Sequence, residues 1–420
     1  MEWNMEEIAM VAPRWALGLC ALALLGASGC TSNPTRTNSA SLDWGRQAPE
    51  MFGKQQVWSL PIEVGQESEV DGIYLRGPYL VVLSSGGQDQ ATAVERFVGD
   101  PAWILYLDEK PIFPPIARTG VPSGRGAASS MTLAEPITFV MRRGLAVADL
   151  KYGSLRYKAS FDTIAPATAP ASNGRTLYIP SLTENNIYAF DLRGGNFGWD
   201  FRVRGGATSA PVCPPAASDM VVIASNDGRV YGLSARDAFA LAPRDPVWVD
   251  RTGDAITAEL GYGGPNAYVA SNDSFVYAYN AGTGSRVWSY AGVKPFRRGS
   301  RPLESSRIRE DSEINGRPIF AGGTVYAANE LGLHAIDATT GQGKWVLAEG
   351  RRYLCSTDDG NVLILMRDGS IGEVDGAGDV VGSEPAMPGV MVLTNPHDNH
   401  LYLSDGNRIW ALRERLPEER

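Results

Sequence analysis

Residues 332–345, GLHAIDATTGQGKW, constrain the possible folds of this chain more than any other stretch. Ala335, Asp337, Thr340, Gly341 and Trp345 stand at fixed intervals within it. Residues 333–337 alternate and read as a strand. Thr339, Thr340 and Gly341 read as a tight turn, with Gly free to take positive φ. Residues 344–347 resume as a second strand with a Trp near its start. One hairpin is only marginally stable in water, so this one must belong to a larger array of sheets.

The same order recurs. Residues 278–288, AYNAGTGSRVW, repeat it with Ala278, Asn280, Thr283, Gly284 and Trp288. Residues 189–199, AFDLRGGNFGW, repeat it with Asp191, Gly194, Gly195 and Trp199. Weaker copies lie at 148–157, 232–248 (with a longer loop) and 363–374. Apolar hairpins closed by Asn, Asp and Gly precede them, as at 221–231, 267–277, 325–333 and 353–363. Self-similarity every 40–50 residues or so, with four short strands per copy, predicts an all-β propeller.

The form A-x-[DN]-x-x-T-G-x-x-x-W resembles the tryptophan-docking repeat of the PQQ-like eight-bladed β-propellers. Residues 335–345 and 278–288 match it fully, and 189–199 match with Gly for Thr. The resemblance spans roughly residues 55–413 and is clearest over 163–348. Two branches share the repeat: quinoprotein dehydrogenases, and non-enzymatic envelope lipoproteins of the BamB type that serve outer-membrane β-barrel assembly. The repeat therefore specifies the fold and leaves the function to surface sites.

The order of the copies predicts blades near 71–117, 131–160, 163–203, 207–251, 255–291, 314–348 and 351–382. A composite blade joins 388–413 to 55–62. That gives eight four-stranded blades. Seven stays open, because little chain separates Trp345 from Tyr353. The strand QQVWSLPI at 55–62 carries Trp58 without a partner, and 401–412 supplies a hairpin that then stops. Pairing the two closes the ring and removes sheet edges that would template aggregation. Trp58, Trp199, Trp248, Trp288 and Trp345 are the expected blade-docking residues, each able to bury on the order of 150–250 Å².

Ahead of the propeller, residues 15–25 form an apolar run too short to span a bilayer. Arg14 precedes it, and Ala27, Ser28, Gly29 and Cys30 follow, as at a lipobox. Residues 1–29 are therefore expected to be a lipoprotein signal peptide, and Cys30 the acylated residue. Residues 30–54, rich in Thr, Ser, Asn and Pro, read as a lipid-anchored flexible tether. The propeller follows at 55–413, with a C-terminal tail at 414–420. Thr31 after the Cys favours, by resemblance, the periplasm-facing side of the outer membrane.

Net charge is −9. Removing residues 1–29 takes away three Glu and one Arg, leaving −7. An acidic surface is a poor match for nucleic acid. Three long insertions, 84–101, 116–131 and 292–313, are expected on one face of the disc, and 236–246 on the other. Within 292–313, Lys294, Arg297, Arg298, Arg301, Arg307 and Arg309 form a candidate partner surface for an acidic protein or anionic headgroups.

Little else suggests chemistry. Asp227, Asp358 and Asp405 recur where hairpin turns need Asn, Asp or Gly, without calcium-loop spacing. Of three His, His397 and His400 flank a turn and His334 lies inside a strand. Cys213 and Cys355 read as buried small apolar side chains in different blades. No catalytic site, bound cofactor or metal is expected. The reading is a non-catalytic, lipid-anchored scaffold that binds envelope proteins through its loops, a monomeric propeller within a hetero-complex. One alternative is a PQQ-dependent oxidoreductase. By resemblance that would call for adjacent cysteines and a calcium site, and this sequence has no adjacent pair. A carbohydrate-binding or sensor propeller is the other.

Overall fold

The computed structural model describes residues 48, 50–62, 68–118, 135–235, 245–292 and 316–414. Eight antiparallel sheets follow one another along the chain. Blade 1 runs Glu69–Arg76, Tyr79–Ser85, Gln90–Glu95 and Pro101–Tyr106 from the inside outward. Blade 2 comprises Ile116–Ala117, Pro136–Met141, Gly144–Asp149 and Leu155–Ser160. Blade 3 comprises Ala171–Ser172, Thr176–Pro180, Asn186–Asp191 and Asn196–Arg202. Blade 4 has three strands, Met220–Ala224, Arg229–Ser234 and Trp248–Arg251, with a bridge from Val212 to Val222 in the innermost place.

Blade 5 is Gly261–Gly263, Asn266–Ala270, Phe275–Asn280 and Arg286–Ala291. Blade 6 is Ile319–Ala321, Thr324–Asn329, Gly332–Asp337 and Gly343–Leu347. Blade 7 is Gly350–Ser356, Val362–Met366, Ile371–Val374 and Val380–Glu384. Its inner strand starts just after residues 348 and 349, so the short connection that left seven blades open is simply a tight inter-blade turn. Blade 8 is Met391–Val392, Leu401–Ser404, Arg408–Glu414 and, as its outer strand, Lys54–Pro61. Trp58 pairs with Ala411 there, so the ring closes with the expected composite blade.

The burial pattern follows from stacking blades face to face. Middle strands such as Pro136–Met141 and Gly144–Asp149 are buried at every position, because a neighbouring blade covers each face. Outer strands alternate, as in Pro101–Tyr106, where only Trp103 and Leu105 are buried. Eight hydrophobic clusters result, one at each junction of neighbouring blades. Among the described residues there is no single central core; the centre of the disc is left to the inner strands.

Two expectations about the loops are corrected. The proposed insertion 84–101 contains a strand, Gln90–Glu95, and the outer strand begins at Pro101. Blade 1 also ends earlier than 117, because Ile116–Ala117 is the inner strand of blade 2. Residues 119–134 thus connect a first strand to a second, not one blade to the next. Residues 119–134, 236–244 and 293–315, which hold most of the other expected insertions, lie outside the described residues.

Candidate functional site

The docking motif acts residue by residue. Ala335 pairs with Trp345 across the strands and leaves room for the indole. Oδ1 of Asp337 accepts the N–H groups of Thr339 at 3.1 Å and Thr340 at 2.9 Å, and the Thr340 hydroxyl at 3.0 Å. Gly341 N–H then donates to the Asp337 carbonyl at 2.9 Å, closing the turn. Asn280 does the same for Gly282 and Thr283. Each such turn receives the aromatic ring of the preceding blade.

Around the ring, Nε1 of Trp58 donates to the Arg96 carbonyl at 3.0 Å, and that of Trp248 to Ala281 at 2.9 Å. Nε1 of Trp288 donates to Ala338 at 2.9 Å. Trp345 lies under Gly378, and Trp199 is buried against Tyr178 with ring centres 5.9 Å apart. Two members escaped the sequence reading. Trp103 donates to the Leu150 carbonyl at 2.9 Å, and Tyr157 fills the place in blade 2, donating to the Asp191 carbonyl at 3.3 Å. The spacing Ala93, Gly99, Trp103 equals that of Ala335, Gly341, Trp345 and was the available signal.

The closure holds two wholly buried cations. Lys54, wholly buried, contacts Glu414 at 2.9 Å and the Asn399 carbonyl at 2.8 Å. Arg96, also wholly buried, pairs with Asp398, which accepts from His400 Nδ1 at 3.1 Å and from Asn395. Burial would raise the Asp398 pKa, but the His400 hydrogen bond and the Arg96 charge hold it well below the usual carboxylate range. The His397–His400 turn is thus a latch between blades 8 and 1. His334 is structural too: buried in blade 6, it meets Tyr290 Oη and Asn329 Oδ1, each at 3.0 Å. Oδ1 of Asp405 is taken by the N–H groups of Asn407 and Arg408, each at 2.8 Å.

Cys213 packs between blades 3 and 4, and Cys355 between blades 7 and 8. They cannot supply the adjacent pair of the quinoprotein branch. Among the described residues, no group of three or more His, Cys, Asp or Glu is placed to hold a metal ion. Cys30, Lys294, Arg297, Arg298, Arg301, Arg307 and Arg309 lie outside the described residues.

Two surfaces remain for function. The first is the rim, where Ile104, Tyr106, Val287, Val346, Val380 and Val381 are exposed on outer strands. The second is an axial cavity of about 510 Å³, walled mainly by the inner strands. It takes in residues 72–76 of blade 1, 317–322 of blade 6 and 391–394 of blade 8. Arg76, Arg317, Arg352 and His397 are its ionisable groups besides tyrosine, and no carboxylate is among the described lining residues.

These features define a PQQ-like β-propeller with its docking girdle intact. The family model described as outer membrane protein assembly factor BamB matches residues 141–411, and the chain belongs to that family. Its fold is similar to the crystal structure of BamB from Moraxella catarrhalis (TM-score 0.58, 14% identity, 86% of this chain and 97% of that one). It is also similar to the computationally designed Ika8 protein (TM-score 0.55, 13% identity, 84% and 98%). At such identities the likeness is one of fold. No curated protein matches the sequence significantly.

Proposed function

We propose that this protein is a non-catalytic scaffold of the bacterial outer membrane. It is held on the periplasmic side by acyl chains on Cys30 and binds the proteins that assemble outer-membrane β-barrels. The family match over residues 141–411 carries this reading. The architecture supports it: a girdle of docked rings makes a rigid disc, and exposed apolar residues on outer strands offer contact area to a protein partner. Residues 1–29 serve as the leader and 30–54 as the tether. Several acyl chains would hold such a domain firmly where one would not. The basic residues Lys294 to Arg309 give an acidic partner or headgroup a second contact.

The test is a crosslinked pull-down from detergent-solubilised membranes of the native host, with Cys30→Ser as control. The proposal expects barrel-assembly proteins with the unaltered chain and their loss with the variant. Recovery of unrelated enzymes or glycans alone would overturn it.

A further inference from the structure

The outer strands of the blades are open sheet edges, and they are not alike. A strand at the end of a sheet presents unpaired N–H and C=O groups, and folded proteins commonly guard such edges with charge or proline. In blades 2 to 7 the outer strands carry charged residues, among them Lys158, Arg202, Asp250, Arg286, Lys344 and Glu384. The outer strand of blade 8 has Lys54 at one end and Pro61 at the other. The outer strand of blade 1, Pro101–Tyr106, reads PAWILY. It holds no charged residue, and its proline only opens it.

The backbone of this edge is available. The strand ends its sheet, with Gln90–Glu95 as its neighbour on the inner side. The Leu107 N–H donates to the Asp89 carbonyl at 2.8 Å, and the register continues with Leu105 opposite Ala91 and Trp103 opposite Ala93. Hydrogen-bonded and non-bonded pairs alternate in an antiparallel ladder. The amides of Ile104 and Tyr106 therefore point outward, away from the sheet. Their side chains are 53% and 56% exposed, whereas Trp103 and Leu105 are buried.

The surroundings select the occupant. Asp100 precedes the strand, and Asp108 and Glu109 follow it, all three exposed. Lys158 of blade 2 pairs with Asp108, and Lys110 pairs with Asp71. Four carboxylates thus stand against two ammonium groups, and the ends of the strand are acidic. A second copy of the chain is a poor fit. Two-fold pairing centred on Ile104 would set Asp100 of each copy against Asp108 of the other, and like charges directly opposite are destabilising. A segment with basic ends suits this edge better.

We infer that the outer strand of blade 1 is a strand-addition site for an extended segment of another protein, with apolar residues at alternate positions and Lys or Arg at its ends. The Ile104 and Tyr106 amides continue the sheet into the added strand, and their side chains pack against its apolar residues. The acidic ends hold its basic ones. This rests on the reading of the rim as a protein-binding surface and adds where and how one partner segment is held.

Fluorescence anisotropy with the labelled peptide KTVTVTVTK and the full-length protein in neutral detergent tests it. The comparison peptides are ETVTVTVTE, KTTTTTTTK, and the first peptide N-methylated at every internal amide. The expected result is saturable binding of the first peptide, at least about tenfold tighter than each of the others. Ile104→Pro removes an outward N–H, and Ile104→Lys gives this edge the charge that other edges carry. Each should weaken binding at least about tenfold with an unchanged melting curve; if the proline lowers that curve, the lysine variant, at an exposed position, decides. Val381→Lys on blade 7 should leave the affinity unaltered. Four results would overturn the inference: no saturable binding of the first peptide, any comparison peptide binding as tightly, unaltered affinity in Ile104→Lys, or equal weakening by Val381→Lys. A dimer of the native chain that Ile104→Lys dissolves would overturn it too, by giving the edge to a second copy. Loss of peptide binding with crosslinks to barrel-assembly proteins intact would strike this site and spare the scaffold reading. Peptide binding without such crosslinks would do the reverse.

Discussion

The Trp288 indole in blade 5 donates to the Ala338 carbonyl in blade 6 at 2.9 Å, directly beneath the turn closed by Gly341. The turn and the ring exclude any side chain at 341. Gly341 has φ +74°, and a Cβ there would fall 2.6 Å from Trp288 Cγ. Gly406 has a similar φ of +86° but open space beyond it. Gly341→Ala should therefore cost the left-handed penalty plus overpacking, about 2–4 kcal/mol. Gly406→Ala should cost about 1–2 kcal/mol. Equal losses of urea midpoint would show that the ring does not constrain the turn.

Closure of the ring depends on Arg96 and Asp398. Asp398→Ala deprives a wholly buried guanidinium of its carboxylate, and removing one partner of a buried pair typically costs about 3–5 kcal/mol. Arg96→Met with Asp398→Asn removes both charges and should recover much of that loss. Thermal melting of the single and double variants checks it, and a double variant worse than Asp398→Ala would refute the latch.

Acid should loosen blade 6. Burial lowers the His334 pKa to about 4, against about 6.5 in an unfolded chain. Between those values the unfolded state binds more protons than the folded one. The stability from neutral His334 is thus present above about pH 6.5 and lost as pH falls toward 4, by about 3 kcal/mol in all. Urea midpoints at several pH values should fall less steeply for His334→Gln than for the parent. Parallel curves would rule His334 out.

The buried thiols should be inert. Burial raises both pKa values, that of Cys355 to about 12. In the chain from residue 31 with Cys213 and Cys355 as the thiols, a colorimetric disulfide reagent should react only after unfolding. Rapid labelling of the native protein would contradict the packing at both junctions.

Much of this fold is legible because the repeat is a set of local requirements. Asp337, Gly341 and Trp345 each meet a need that only a few residue types satisfy, so their spacing survives as a pattern. Blade 1 was harder to read. Glu95 stands where Asp normally caps the turn, and Arg96 beside it is buried by the closure. In sequence alone that strand resembles part of an insertion, and Trp103 does not stand out. Blade 2 hides its docking residue in the same way, with Tyr157 for Trp. The axial cavity was not legible at all. Arg76, Arg317 and Arg352 are far apart in sequence and converge only when the ring closes.

The scaffold account is tested most directly at the rim. A photo-reactive amino acid placed in turn at Tyr106, Val287, Val346 and Val381 would report what touches each outer strand in living cells. The account predicts that one arc of neighbouring positions, with others silent, crosslinks to a barrel-assembly protein. Membrane-bound protein whose rim yields no crosslink to any such protein would contradict it.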